Sequence, residues 1–246
     1  PRMHEISYVH LIDARAAAGE TLRVAGITDR GDALVALAPG VGAAAELFVV
    51  TPPGWTLGVP AEASEAGGPA LVIGSTGFTD EQEAAIEAAA EKVAIVKSGN
   101  FSLGVNMLIG LVRNAAQRLN AKDWDIEITE AHHRRKVDSP SGTALMLGDA
   151  AADGRRVDLA EVRTAPYDGV QGPREEGKIG FSVIRGGGII GEHSVMFASD
   201  DEVLTLSHSA IDRSLFAKGA VAAAAWVRTR PAGLYDMQDV LGFRQA

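Results

Sequence analysis

The chain has 246 residues, a formal net charge of −9, and 46% hydrophobic but only 5% aromatic residues. That length allows one large domain or two small ones around a substantial core, and the acidic balance argues against non-specific nucleic-acid binding. There is no cysteine, so disulfides, thiolate catalysis and cysteine-based zinc sites are excluded; with no bilayer-length apolar run and no signal-peptide pattern, a cytoplasmic location is expected.

The first part of the chain alternates strand and helix signals. Strands are predicted at 22–29, ending in Asp29, at 46–51 before Pro52-Pro53, and at 70–76, which is apolar enough for burial on both faces. Thr79 followed by Gln82 reads as a capping box opening a helix over 81–92. A strand at 93–97, a loop at 98–101 and a long amphipathic helix at 103–119 follow. Strands separated by helices imply a doubly wound parallel sheet, a Rossmann-like α/β domain.

The second part reads differently. Strands are predicted at 124–131, 178–185, 193–198 and 202–209, with one helix near 140–152. This is an α+β unit with a mixed sheet. An Ala-rich helix at 214–228 closes the pattern, and residues 233–237 read as a tail. The expected division is 1–102 with 213–246 as one domain and 103–212 as the other.

Chemistry concentrates in one loop. Glu130-Ala131-His132-His133-Arg134-Arg135-Lys136-Val137-Asp138-Ser139-Pro140-Ser141-Gly142-Thr143-Ala144 ends a strand, gathers cations in an acidic chain and enters a helix through its N-terminus. Helix N-termini hold anions through unpaired N–H groups and the helix dipole. Asp138 or Ser139 suits the cap and Pro140 the first turn. The predicted ligand is a small carboxylate, with His132, His133 and Lys136 placed to exchange protons with it. No metal site is expected: His132 and His133 point different ways from an extended chain, and His4, His10, His193 and His208 are scattered and read as packed or surface histidines.

This segment resembles the signature of the dihydrodipicolinate reductase family of bacterial lysine and diaminopimelate biosynthesis, at every defined position. Residues 68–104 and the runs Arg185-Gly186-Gly187, Gly191-Glu192-His193 and Gly233-Leu234-Tyr235-Asp236-Met237 are similar to other family segments. The resemblance implies a nucleotide-binding domain, a substrate-binding and oligomerisation domain, a homotetramer, NADH or NADPH as cofactor, and a cyclic dicarboxylate as substrate. It implies His132 as general acid or base and Lys136 as proton donor. His133, Ser141, Gly142 and Thr143 would hold the substrate. Gly74, Ser75, Thr76, Ser98, Gly99, Asn100 and Phe101 would face the cofactor. Aspartate dehydrogenase-like proteins share the plan but not this signature.

The N-terminus departs from the pattern. The family's glycine-rich turn ends in Gly-Arg-Met-Gly, whereas Arg2-Met3 is followed by His4, and the preceding strand and glycines are absent. A truncated domain is expected, with Ile6–Val9 readable as helix or strand. Arg2 and Met3 would be the remnant of the pyrophosphate cradle. Asp29, at a strand end about 26 residues after Met3, suits a ribose-binding acid, and Arg30 suits a 2′-phosphate; a plain turn after the strand is the other reading of this pair. The alternative function is therefore a reductase-like fragment that binds the dicarboxylate but not the nucleotide.

Overall fold

The computed structural model describes residues 70–74 and 76–244, together with the backbone of three strands at 23–27, 34–37 and 48–50. The chain divides into two compact units, Pro1–Leu103 with Ser214–Ala246, and Gly104–Arg213.

In the first unit β3 (Phe48–Val50), β4 (Leu71–Ile73), β5 (Ala94–Lys97) and β10 (Gly233–Tyr235) form a parallel sheet of order β10-β5-β4-β3. Successive side chains of a strand point to opposite faces, and helices cover both. Leu71, Ile73 and Ile95 pack on Ile86, Ala89 and Ala90 of α1 (Asp80–Ala90). Val72, Ala94 and Val96 pack on Ala220, Ala223, Ala224 and Val227 of α5 (Ser214–Val227). The Thr79–Gln82 capping box forms as the sequence predicts. The sequence did not mark β10, whose three residues carry no strand periodicity of their own; pairing with β5 makes them one.

One strand departs from expectation. β1 (Arg23–Ile27) lies in a separate ribbon, antiparallel to β2 (Leu34–Leu37), rather than in the parallel sheet. Only six residues separate the two strands, too few for the crossover that parallel pairing needs.

The second unit is a mixed sheet of order β7-β6-β8-β9, built from β6 (Asp125–His132), β7 (Ile179–Arg185), β8 (Glu192–Ala198) and β9 (Val203–Ser209). β6 runs parallel to β7 and antiparallel to β8. One face buries Ile126, Ile128, Ile179, Phe181, Val195 and Phe197 under α2 (Leu103–Arg118) and α3 (Gly142–Arg155). From α2 come Val105, Leu108, Ile109, Val112 and Ala116, the spacing of a single helical stripe. The two helices approach closely at Gly154, where an added Cβ would sit 2.5 Å from the Arg113 carbonyl and 2.8 Å from the Ala116 Cβ. A short helix, α4 (Leu159–Val162), follows α3, and α6 (Met237–Val240) follows β10 in the first unit. No helix among the described residues is long and apolar enough to cross a membrane.

Candidate active site

The site grows from the C-terminal end of β6. Residues two apart on a strand share a face, so Glu130 and His132 continue the buried row of Ile126 and Ile128. Neighbouring strands add Arg185, the parallel partner of His132, and His193, the antiparallel partner of Glu130. A carboxylate, two imidazoles and a guanidinium thus replace aliphatic packing at one end of the core.

Glu130 is the hub, 1% exposed. Arg185 donates to both of its oxygens, at 2.8 Å and 2.7 Å. His132 Nδ1 lies 2.6 Å from Oε2, and the Ser141 N–H donates to Oε1 at 2.9 Å. Burial pushes the Glu130 carboxyl up, but the hydrogen bonds from Arg185, His132 and Ser141 prevail and hold it below the usual carboxylate range. Arg185 also donates to the Asp138 carbonyl, tying down the cationic loop.

Ser141 is the N-cap of α3. Its Oγ accepts from the Ala144 N–H and lies 3.2 Å from His193 Nε2. This corrects the cap expected at Asp138 or Ser139 and the first-turn place expected for Pro140. Pro140 precedes the helix, after a cis bond to Ser139. Ser141 prevails because its backbone N–H is drawn to Glu130 while its hydroxyl faces the first turn. The first-turn N–H groups, which project from the end of a helix and attract anions, are those of Gly142 and Thr143.

Three histidines differ in setting. His193 is buried, its ring edge-on to His132 at 5.1 Å; burial, then the His132 charge, pushes it down to about 4. It is a packed histidine, as the sequence reading held, but packed against the site. His133 is half-buried with no hydrogen-bond partner on Nδ1; burial, then the charges of Arg135, Arg213, His132 and Lys136, holds it below the ordinary imidazole value. Lys136 pairs with Asp138 at 2.9 Å. Burial raises the Asp138 carboxyl, but the hydrogen bonds from Lys136 and from the backbone, with the charges of Lys136 and Arg185, together outweigh it and hold the group below its ordinary value. No cluster of metal-binding side chains occurs among the described residues.

The structure thus brings together His132, His133, Lys136, Ser141, Gly142 and Thr143 in the second unit. It adds Glu130, Arg185, His193 and Arg213, which sequence reasoning did not single out as site residues. The alternation of Glu130 and His132 along a strand was a usable signal for the first. Arg185 and His193 needed the strand pairing.

In the first unit Gly74, Thr76, Ser98, Gly99, Asn100 and Phe101, of the predicted cofactor residues, follow the C-terminal ends of β4 and β5, where open α/β sheets bind ligands. Ser98 and Asn100 are buried and turned inward: Ser98 Oγ donates to the Asn100 carbonyl at 2.8 Å, and Asn100 Oδ1 accepts from the Ser102 N–H at 2.8 Å. A Cβ on Gly74 would come within 3.2 Å of the Phe101 ring. Thr76 and Gly99 are exposed. Small, outward-facing residues over a rigid hydrogen-bonded loop fit one end of a nucleotide cofactor. Arg2, Met3, Asp29, Arg30 and Ser75 lie outside the described residues.

Residues 104–241 match the family described as dihydrodipicolinate reductase, C-terminus, and residues 50–101 match dihydrodipicolinate reductase, N-terminus. The chain belongs to the dihydrodipicolinate reductase family. It is 64% identical over 217 residues to the curated 4-hydroxy-tetrahydrodipicolinate reductase of Caulobacter vibrioides, covering 88% of this chain and 84% of that protein. With the Sinorhizobium fredii enzyme of the same name it is 60% identical over 171 residues, which is 70% of this chain but 63% of that relative. A dipicolinate-bound dihydrodipicolinate reductase from Paenisporosarcina superposes with a TM-score of 0.64 at 25% identity, over 78% of this chain and 72% of that one. The family comprises oxidoreductases that use a nicotinamide cofactor.

Proposed function

We propose that this chain reduces 4-hydroxy-tetrahydrodipicolinate, in its dehydrated form dihydrodipicolinate, to tetrahydrodipicolinate, using NADH or NADPH, in the lysine and diaminopimelate pathway. The observation that carries this reading is the meeting, at one strand end, of an anion-attracting helix N-terminus with two imidazoles and Lys136. The relatives' names give the class of substrate. The second unit is then the substrate-binding and tetramer-forming domain, the first the nucleotide-binding domain, and the enzyme is a cytoplasmic homotetramer.

When bound, the cofactor supplies a hydride to the unsaturated ring. The chain's own residues do the rest. The backbone N–H groups of Gly142 and Thr143, reinforced by the helix dipole, hold one carboxylate. His133, held largely uncharged near neutrality, donates or accepts a hydrogen bond without adding charge. Lys136 sets a cation beside the ring nitrogen where negative charge develops. His132 exchanges the proton that neutralises that charge. Gly74 and the 98–101 loop carry one end of the cofactor; Arg2, Met3, Asp29, Arg30 and Ser75 are assigned to the rest. Against the fragment reading, which rests on the missing glycine-rich turn, stands the 64% identity to a curated reductase over 88% of the chain.

The test is oxidation of NADH and of NADPH by the full chain, with substrate made in situ from aspartate semialdehyde and pyruvate. Wild-type turnover is expected, and His132→Ala should lower kcat by about 10²- to 10⁴-fold, the usual contribution of a positioned acid or base. Wild-type activity in His132→Ala would overturn the assignment. Absence of wild-type turnover would overturn the function.

A further inference from the structure

The Glu130 carboxylate accepts four hydrogen bonds, two on each oxygen. That is the full capacity of a carboxylate, so Glu130 has no lone pair left for a substrate. It must act through its partners.

An ionised carboxylate only accepts, so the hydrogen between it and His132 sits on Nδ1. The bond made by one ring nitrogen fixes the state of the other; a neutral His132 therefore carries its lone pair on Nε2. The far side of the ring is equally specified. A Cβ on Gly191 would stand 3.0 Å from Nε2 and 3.4 Å from Cδ2 of His132, closer than packed carbons normally come to a ring edge. A side chain there would crowd Nε2 unless the ring gave way by a few tenths of an ångström. His193 on β8 stands edge-on to the ring, Arg185 on β7 shares Glu130 with it, and the loop that follows carries His133, Lys136 and Asp138. Arg185 is engaged with Glu130 and the Asp138 carbonyl, His193 with Ser141, and Lys136 with Asp138.

We infer that Glu130 is a positioning residue for proton transfer: it locks His132 with hydrogen on Nδ1 and Nε2 as the exchanging atom, while Gly191 keeps Nε2 open. The same carboxylate takes the Ser141 N–H, so one side chain sets both the proton-exchanging ring and the cap of the carboxylate-binding helix. Arg185 supplies the charge that makes a buried carboxylate tenable. The inference rests on the proposed role of His132 and adds the atom and the residue that selects it.

The first measurement needs no variant. Nitrogen-15 NMR of the histidine-labelled full chain, at a pH where His132 is neutral, should show a protonated Nδ1 and an unprotonated Nε2. The opposite pattern overturns the inference whether or not the chain turns over substrate. Glu130→Gln retains the shape but can offer an N–H to Nδ1, so His132 should move toward the other tautomer. Its kcat should fall by about 10²- to 10⁴-fold, as when an imidazole is held in the wrong tautomer, with KM changed less than about threefold. Wild-type kcat in folded Glu130→Gln overturns the inference. Should that variant not fold, Gly191→Ala serves instead: its methyl crowds Nε2 without touching the carboxylate. It should retain the tautomer and lose about tenfold or more in kcat, the scale on which sub-ångström misplacement acts; unchanged kcat there overturns the assignment of Nε2. Thermal protection of wild type by dipicolinate, with turnover, leaves the reductase reading standing if the tautomer result fails.

Discussion

Strand β6 is clamped by an arginine at each end, and the two clamps differ in everything but chemistry. At its N-terminal end Arg174 binds Asp125 at 2.7 Å and Glu127 at 3.0 Å, and donates to the carbonyls of Ile126 and Lys178. Asp125 is half exposed, and Glu127 lies over Gly180, where any Cβ would overlap its carboxylate. At the C-terminal end Arg185 grips the buried Glu130. The first clamp fastens the chain entering β7 to β6 and stops there. The second passes its constraint to an imidazole and a helix cap. Ion pairs of similar length thus do different work, set by burial and by what else the carboxylate holds.

Truncation should separate them most sharply. Glu130→Ala leaves Arg185 without its anion and removes the acceptor for two further donors, so it should cost about 3–5 kcal/mol in denaturant unfolding. Glu127→Ala, on a partly solvated face, should cost about 1 kcal/mol or less. Equal costs would erase the distinction.

Acid should act next, and at the histidine-bearing end. His193 sits at about 4 when folded and near 6.5 when unfolded. The unfolded chain therefore binds a proton that the native chain refuses. Stability is complete above about pH 6.5 and falls as the pH drops toward 4, by on the order of 3 kcal/mol. The depressed Glu130 acts lower: its contribution is present above the ordinary carboxylate value and disappears as pH falls through the folded value. His193→Gln should flatten the loss between pH 6.5 and 4 in thermal melts; an unchanged slope would place the effect elsewhere.

Gly180→Ala displaces the Glu127 carboxylate and breaks its bond to Arg174, for about 1–2 kcal/mol, with tetrahydrodipicolinate formation close to wild type. A matching fall in kcat would mean that the two clamps communicate. The smallest effect belongs to Asp125→Asn, a few tenths of a kcal/mol that salt should abolish.

The parts of this molecule legible in the sequence are those whose cause is local. Thr79 and Gln82 announce a helix by reciprocal bonds three residues apart, and the stripe from Val105 to Ala116 announces its buried face. The candidate site was legible where it is contiguous, from His132 to Thr143. Its supports were not. Arg185 and His193 lie 55 and 52 residues from the groups they bind, and only the register of β7 and β8 on β6 brings them there. The cap fell on Ser141 rather than Ser139 for the same reason: a carboxylate eleven residues away claims its N–H. β10, three residues long, is a strand only because β5 offers it an edge.

The close crossing at Gly154 has a practical meaning for anyone choosing residues to vary. Gly142 lies twelve positions before it, so the end of α3 proposed to hold the carboxylate is about 18 Å away. A rigid rod seated against a stop at its tail has its tip located by that stop. A methyl group at 154 would push the rod along or off its seat, and the tip would move with it. Ranking positions by distance from the proposed dicarboxylate site would discard this one early, although it gauges where the N-terminal end of α3 sits.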